Sequence, residues 1–270
     1  MWTQNRDTAI DGVLSLEKSL AILFLTFVLI LAAGIAGAVL GGRTEILLSE
    51  ALVIVPAWIY VARSRLDGRT VFRLRRVPVQ ALWLSLGIGV AAALLGHELD
   101  VLVEQIFPMP LELQKQMEAM LRAKGIADGI ILVVAIVGLA GVLEEMLFRG
   151  MLLASLEARV DVTRAVLFSA LLFAFFHLNP WTAVQILLFG VILGVLAWRS
   201  QSVLPAALVH ATNNAFEFAV LNLGEDRLRP LFVGKHVSPV LLLLAAVALY
   251  LGLRDFYRLF GKGAGDAKIA

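Results

Sequence analysis

A chain of 270 residues that is 60% hydrophobic and 16% charged, with a mean hydropathy of +0.88, is too apolar for an ordinary water-soluble domain. Its net charge of +2 and pI of about 9.1 do not point to nucleic acid, because the arginines gather in the connections between apolar runs, where they act as orientation signals. The absence of cysteine excludes disulfides, thiolate nucleophiles and cysteine-ligated zinc, and four histidines remain, at 97, 177, 210 and 236.

Apolar runs of about 17–25 residues are long enough to cross a bilayer as helix. Taken in chain order, they predict eight helices, over 18–40, 45–62, 78–103, 128–157, 162–178, 181–198, 203–221 and 237–260. The fold class that follows is all-α: a polytopic membrane helix bundle of about eight transmembrane helices, with 1–270 as one membrane-embedded domain. The first run ends at Ala36, Gly37 and Ala38, small residues suited to signal cleavage. Asp7, Asp11 and Glu17 precede it, however, so it reads as a retained span.

The connection RSRLDGRTVFRLRR, residues 63–76, sets six arginines against one aspartate and marks the cytoplasmic side. Eight spans place both termini on that side, in keeping with Arg254, Arg258, Lys262 and Lys268 near the end and with Arg159 and Arg164 after the fourth helix. The expected location is a cell membrane, and the Ala-, Leu- and Arg-rich composition points to a bacterial inner membrane. In the connection 104–127, Leu111, Leu113, Met117, Met120 and Leu121 alternate with charges, the pattern of an amphipathic helix lying in the interface.

Within the fourth run, GVLEEMLFRG at 141–150 places Glu144, Glu145 and Arg149 where charges are expensive. With Glu217 they would cost on the order of 10 kcal/mol if isolated. Glu145 and Arg149 stand four apart with the acid first, the favourable order for an ion pair within one helix, and a structural role suits them. Glu144 points about 100° away and meets Phe148 at i+4, so its partner must come from another helix or from water.

Two later helices offer partners: FAFFH carries His177 one turn after Phe173, and HATNN puts His210 and Asn214 on one face. At 1.5 Å per residue, Glu144 lies roughly 20 Å from the end of its helix near Glu157 and His177 roughly 22 Å from Val162, so the two share a level. His210 comes out shallower. A carboxylate, two imidazoles and a carboxamide in a low-dielectric cavity suit acid–base hydrolysis: Glu144 and His177 would activate water, and His210 and Asn214 would donate to the oxyanion.

These three segments resemble the E-E-x-x-x-R, F-x-x-x-H and H-x-x-x-N motifs of the CAAX protease and bacteriocin-processing family of intramembrane endopeptidases, whose eukaryotic branch includes the Ras-converting protease. The resemblance covers residues 144 to 214. It implies that Glu144 and His177 activate water, that His210 and Asn214 form the oxyanion site, and that Glu145 and Arg149 support them. The expected substrate is a membrane-associated or CAAX-like peptide or membrane protein, the expected surroundings are the lipid bilayer, and no nucleic acid partner is expected. The reading is metal-free, with zinc on Glu144, His177 and His210 as the alternative, since His₂Glu is a recognised catalytic zinc set.

Plainer roles stand beside these. His210 and Asn214 could join helices by hydrogen bonds alone, and Phe173, Phe175 and Phe176 could serve packing or lipid contact. Glu217 is either a partner of the site or an interfacial residue. The segment GHELD at 96–100 fails as a zincin motif because Val101 stands where the second histidine would be, and His97, Glu98 and Asp100 read as the outer end of the third span. His236 reads as a loop residue without a role. A non-catalytic membrane protein, such as a transporter with a proton relay or an immunity or scaffold protein on the same fold, is the alternative function.

Overall fold

The computed structural model describes residues 12–40 and 44–261. Lys262 and Lys268, as well as Asp7 and Asp11, lie outside them. All eight predicted helices are present: α1 Leu16–Leu40, the pair α2 Thr44–Leu52 and α3 Val55–Arg63, α5 Val79–Ile106, α7 Ile126–Glu157, α8 Val162–Phe176, α9 Ala183–Ser200, α10 Leu204–Leu223 and α12 Pro239–Leu259. Short helices α4 Gly68–Val71 and α11 Glu225–Leu228, a 3-10 turn over Arg229–Leu231 and the interfacial candidate α6 Leu111–Leu121 complete the helical set among the described residues. The all-α membrane bundle is therefore the architecture found.

Six of these helices are long and apolar enough to cross a membrane, fewer than the eight expected. Two fall short for different reasons. Helix α8 has 15 residues, roughly 22 Å, and α10 is diluted by His210, Thr212, Asn213, Asn214 and Glu217. Both pack against other helices, α8 on α9 and α10 on α5. Large apolar side chains elsewhere, among them Phe24, Trp83, Leu243 and Tyr250, point outward, as a surface built to meet lipid requires.

The second span is broken. Pro56 has no N–H for the Leu52 carbonyl and its ring crowds that carbonyl, so the helix stops, turns through Val53 and Ile54, and restarts at Val55. Helix α7 is continuous but irregular: π-helical turns over Val133–Ala140 and Met146–Leu152 flank a single α-helical stretch, Gly141–Glu145. The glutamates of the first motif thus sit between two widened turns, an arrangement that recurs at functional sites.

The arginine-rich connection is tied to its own end of the bundle. Arg73 binds Glu157 through both guanidinium nitrogens at 2.9 and 2.8 Å, its carbonyl accepts the Val203 N–H, and the Ser202 hydroxyl donates to the Arg75 carbonyl. In the same connection Asp67 caps α4. The Thr70 hydroxyl, the Arg69 N–H and the Thr70 N–H all donate to its carboxyl and hold it below the usual carboxylate range. Arg159 reaches Glu17, and Arg199 donates to the Tyr257 carbonyl, so the start of α1 and the end of α12 lie at this end too.

At the opposite end the sequence reading needs a correction. Residues 232–237 form a hairpin, Phe232 pairing with Val237 and Val233 with His236, turned at Gly234 with φ of +62°. His236 is a clasp residue: its Nδ1 lies 2.8 Å from Glu98, whose other oxygen accepts the Val237 N–H at 2.9 Å. His97 lies 3.3 Å from Glu217, which places Glu217 with this outer cluster. Helix α6 buries none of its residues, as an interfacial helix would not against protein alone.

Candidate active site

The centre of the first motif is an ion pair with no solvent exposure. Arg149 and Glu145 are fully buried, with Nη1 and Oε1 2.9 Å apart. The pair is not self-contained, which extends the expectation from its spacing. Arg149 Nη2 donates to the Gly190 carbonyl of α9, and the guanidinium lies 4.1 Å from the centre of the Phe173 ring. The same Glu145 oxygen lies 2.9 Å from His210 Nδ1. One carboxylate and one guanidinium therefore connect α7, α8, α9 and α10.

Close backbone approach makes the His210 contact possible. A Cβ on Gly141 would stand 3.1 Å from the Ala211 nitrogen, so glycine lets α10 lie against α7 one turn before Glu145. With the carboxylate as acceptor, His210 Nδ1 is the donor. A second donor at Nε2, the one an oxyanion needs, requires a ring protonated on both nitrogens. Asn214, one turn on, donates from Nδ2 to the Ile136 carbonyl at 2.9 Å, in the first π-helical segment.

Glu144 faces another way, into a cavity of about 180 Å³ lined by Ile30, Ser49, Glu50, Val53, Phe148, Phe176 and His177. Its level match with His177 takes this form: both line one space. His177 ends α8, and its Nδ1 lies 2.8 Å from the Phe173 carbonyl. A carbonyl only accepts, so Nδ1 carries the proton and the neutral ring keeps a lone pair on Nε2. The Phe173 ring lies against both histidines, its centre 4.7 Å from that of His177 and 5.7 Å from that of His210.

Glu144 and His177 are thus brought together. Glu145, Arg149 and His210 are brought together against Phe173, and Asn214 is bound to the π-helical turn. His210 and Asn214 are not among the cavity-lining residues. Among the described residues no three His, Cys, Asp or Glu side chains are grouped to hold a metal ion.

The cavity also holds a residue absent from the expected set. Glu50 projects from α2 just before the Pro56 break, and no motif contains it. The signal that marks it is the one that marks Glu144, a carboxylate within an apolar run.

Residues 126–216 match the family model described as type II CAAX prenyl endopeptidase, Rce1-like. The matched segment is about a third of the chain and contains all three motifs. It supports assignment to the CAAX protease and bacteriocin-processing family and, at the coarse level, to the CAAX-type membrane proteases. No curated protein and no solved structure matches the chain.

Proposed function

We propose that this protein is an intramembrane endopeptidase that hydrolyses a peptide bond of a membrane-associated or CAAX-like substrate with water activated by Glu144. The observation that carries this reading is the shared cavity of Glu144 and His177, with the His177 tautomer set by the Phe173 carbonyl so that Nε2 can accept a hydrogen bond from the attacking water. The water would lie between the Glu144 carboxylate and His177 Nε2 and attack the scissile carbonyl as it loses a proton to Glu144.

His210 and Asn214 serve the developing oxyanion from beside this pair. The carboxamide of Asn214 has a second N–H beyond the one given to Ile136, and His210 is oriented by Glu145 through Nδ1. The Glu145–Arg149 pair holds this geometry. Glu144, His177 and His210 come from three helices without the compact two-ligand spacing of a zincin, which favours the metal-free route, with zinc on these three residues as the alternative.

The test is cleavage of a fluorogenic CAAX-type peptide and a membrane-peptide library by detergent-purified protein, with and without chelator, beside Glu144→Ala and His177→Ala. Chelator-resistant cleavage that both substitutions reduce by at least about 100-fold is expected. Cleavage surviving both would put the chemistry elsewhere, and chelator-sensitive cleavage restored by zinc would replace the metal-free mechanism.

A further inference from the structure

The cavity contains two carboxyl groups where the hydrolytic reading uses one. Glu50 Oε2 and Glu144 Oε2 are each out of contact with water and have no hydrogen-bond partner among the described residues. The remaining lining is Ile30, Val53, Phe148 and Phe176, together with Ser49, whose hydroxyl donates to the Ile46 carbonyl. Helices α1, α3 and α7 pack against α2, and among the described residues the titratable side chains that line this cavity with Glu50 are Glu144 and His177.

A carboxyl kept here for packing alone would be a poor choice. Leucine would fill the space without the cost of burying a carboxyl oxygen that lacks a partner. Two like charges in one water-poor site disfavour each other, and sharing a single proton removes the conflict, as carboxylate pairs in hydrolases do.

We propose that Glu50 is a second catalytic acid of this site: it shares one proton with Glu144 and delivers it to the leaving nitrogen. This rests on the endopeptidase reading. In the resting cavity Glu144 is the carboxylate and Glu50 the acid. Water gives one proton to Glu144 while its oxygen bonds to the carbonyl carbon. As the carbon–nitrogen bond breaks, the nitrogen takes the proton of Glu50. The proton on Glu144 then crosses to Glu50, which restores one proton and one negative charge. The break at Val53 and Ile54 contributes by ending α2 at the cavity, so that Glu50 is presented from the last turn of a helix.

The experiment compares full-length wild type with Glu50→Gln, Glu50→Asp and Glu50→Leu in two independent readouts. In the first, the infrared difference spectrum of wild type minus Glu50→Gln at neutral pH is expected to contain a protonated carboxyl band. Carboxylate bands alone would overturn the proposal. In the second, peptide cleavage by Glu50→Gln is expected to lose about 100-fold in kcat with KM little changed, and to lose the alkaline limb of its pH profile. Glu50→Asp should recover part of kcat, whereas Glu50→Leu should unfold at a higher temperature than wild type and stay inactive.

A Glu50→Gln protein with the kcat and pH profile of wild type would overturn the proposal. So would a Glu50→Leu protein that loses activity only in proportion to lost folded protein. Failure of wild type to cut any peptide would count against the endopeptidase reading, and the infrared comparison would still decide where the proton resides.

Discussion

Arg149 is among the largest side chains with no exposure in the molecule, and it survives in an apolar bundle because every side of it is engaged except Nε. Glu145 supplies the charge, the Gly190 carbonyl an acceptor and Phe173 a ring face. Removing one member leaves the other charged and buried. Arg149→Met is therefore expected to lower stability by about 3–5 kcal/mol, and Glu145→Leu combined with Arg149→Met to lower it much less. Denaturant titration in detergent checks this, and equal losses in the single and double variants would refute the account. The same pair orients His210, so Glu145→Gln should lower kcat and leave KM near its wild-type value.

At the scale of elements, helix α7 is set by what its glycines allow. A Cβ on Gly150 would stand 2.7–2.8 Å from the backbone of Phe72, which cannot move aside without the whole connection after α4. A Cβ on Gly141 would meet Ala211 at 3.1–3.2 Å, a contact that a small shift of α10 relieves. Gly150→Ala is expected to cost about 1–3 kcal/mol, as overpacking does. Gly141→Ala should cost less stability but more activity, because the shift carries His210 away from Glu145. Thermal unfolding read beside kcat separates the two, and the opposite ranking would mean that α10 is not seated by Gly141. The outer hairpin depends on a single residue in the same way. Glu98→Ala leaves the Val237 N–H and His236 without their acceptor, and faster proteolysis between residues 228 and 238 is expected.

For the whole molecule, the clamp of Arg73 on Glu157 and the contacts of Glu17 with Arg159 and of Arg199 with Tyr257 gather the arginine-rich connection and both ends of the described bundle on one side. The absence of native cysteine makes this directly testable. Single cysteines at Arg69 and Arg258 should react with an impermeant thiol reagent from the cytoplasmic side, and those at Lys115 and Lys235 from the other. Labelling of Arg69→Cys and Lys115→Cys from the same side would contradict the orientation. That result would also upset the shared level of Glu144 and His177, since both depths are measured from the same face.

Hydropathy, charge and helix geometry alone determined the all-α membrane bundle, the positions of its apolar helices, the candidate pairing of Glu145 with Arg149 and the expectation that Glu144 and His177 meet. These depend on helix rise, on i,i+4 spacing and on the cost of charge in an apolar medium, all of which are local or one-dimensional. Only the tertiary structure decided that His210 turns to Glu145, that Asn214 binds a π-helical carbonyl, that His236 clasps Glu98 and that Glu50 enters the cavity of Glu144. The π-helical turns of α7 and the break before Pro56 change which way side chains face, and the partners of each polar group come from helices far apart in sequence. Rotation about a helix axis and the choice of neighbouring helix are set by packing, for which a hydropathy pattern carries no signal.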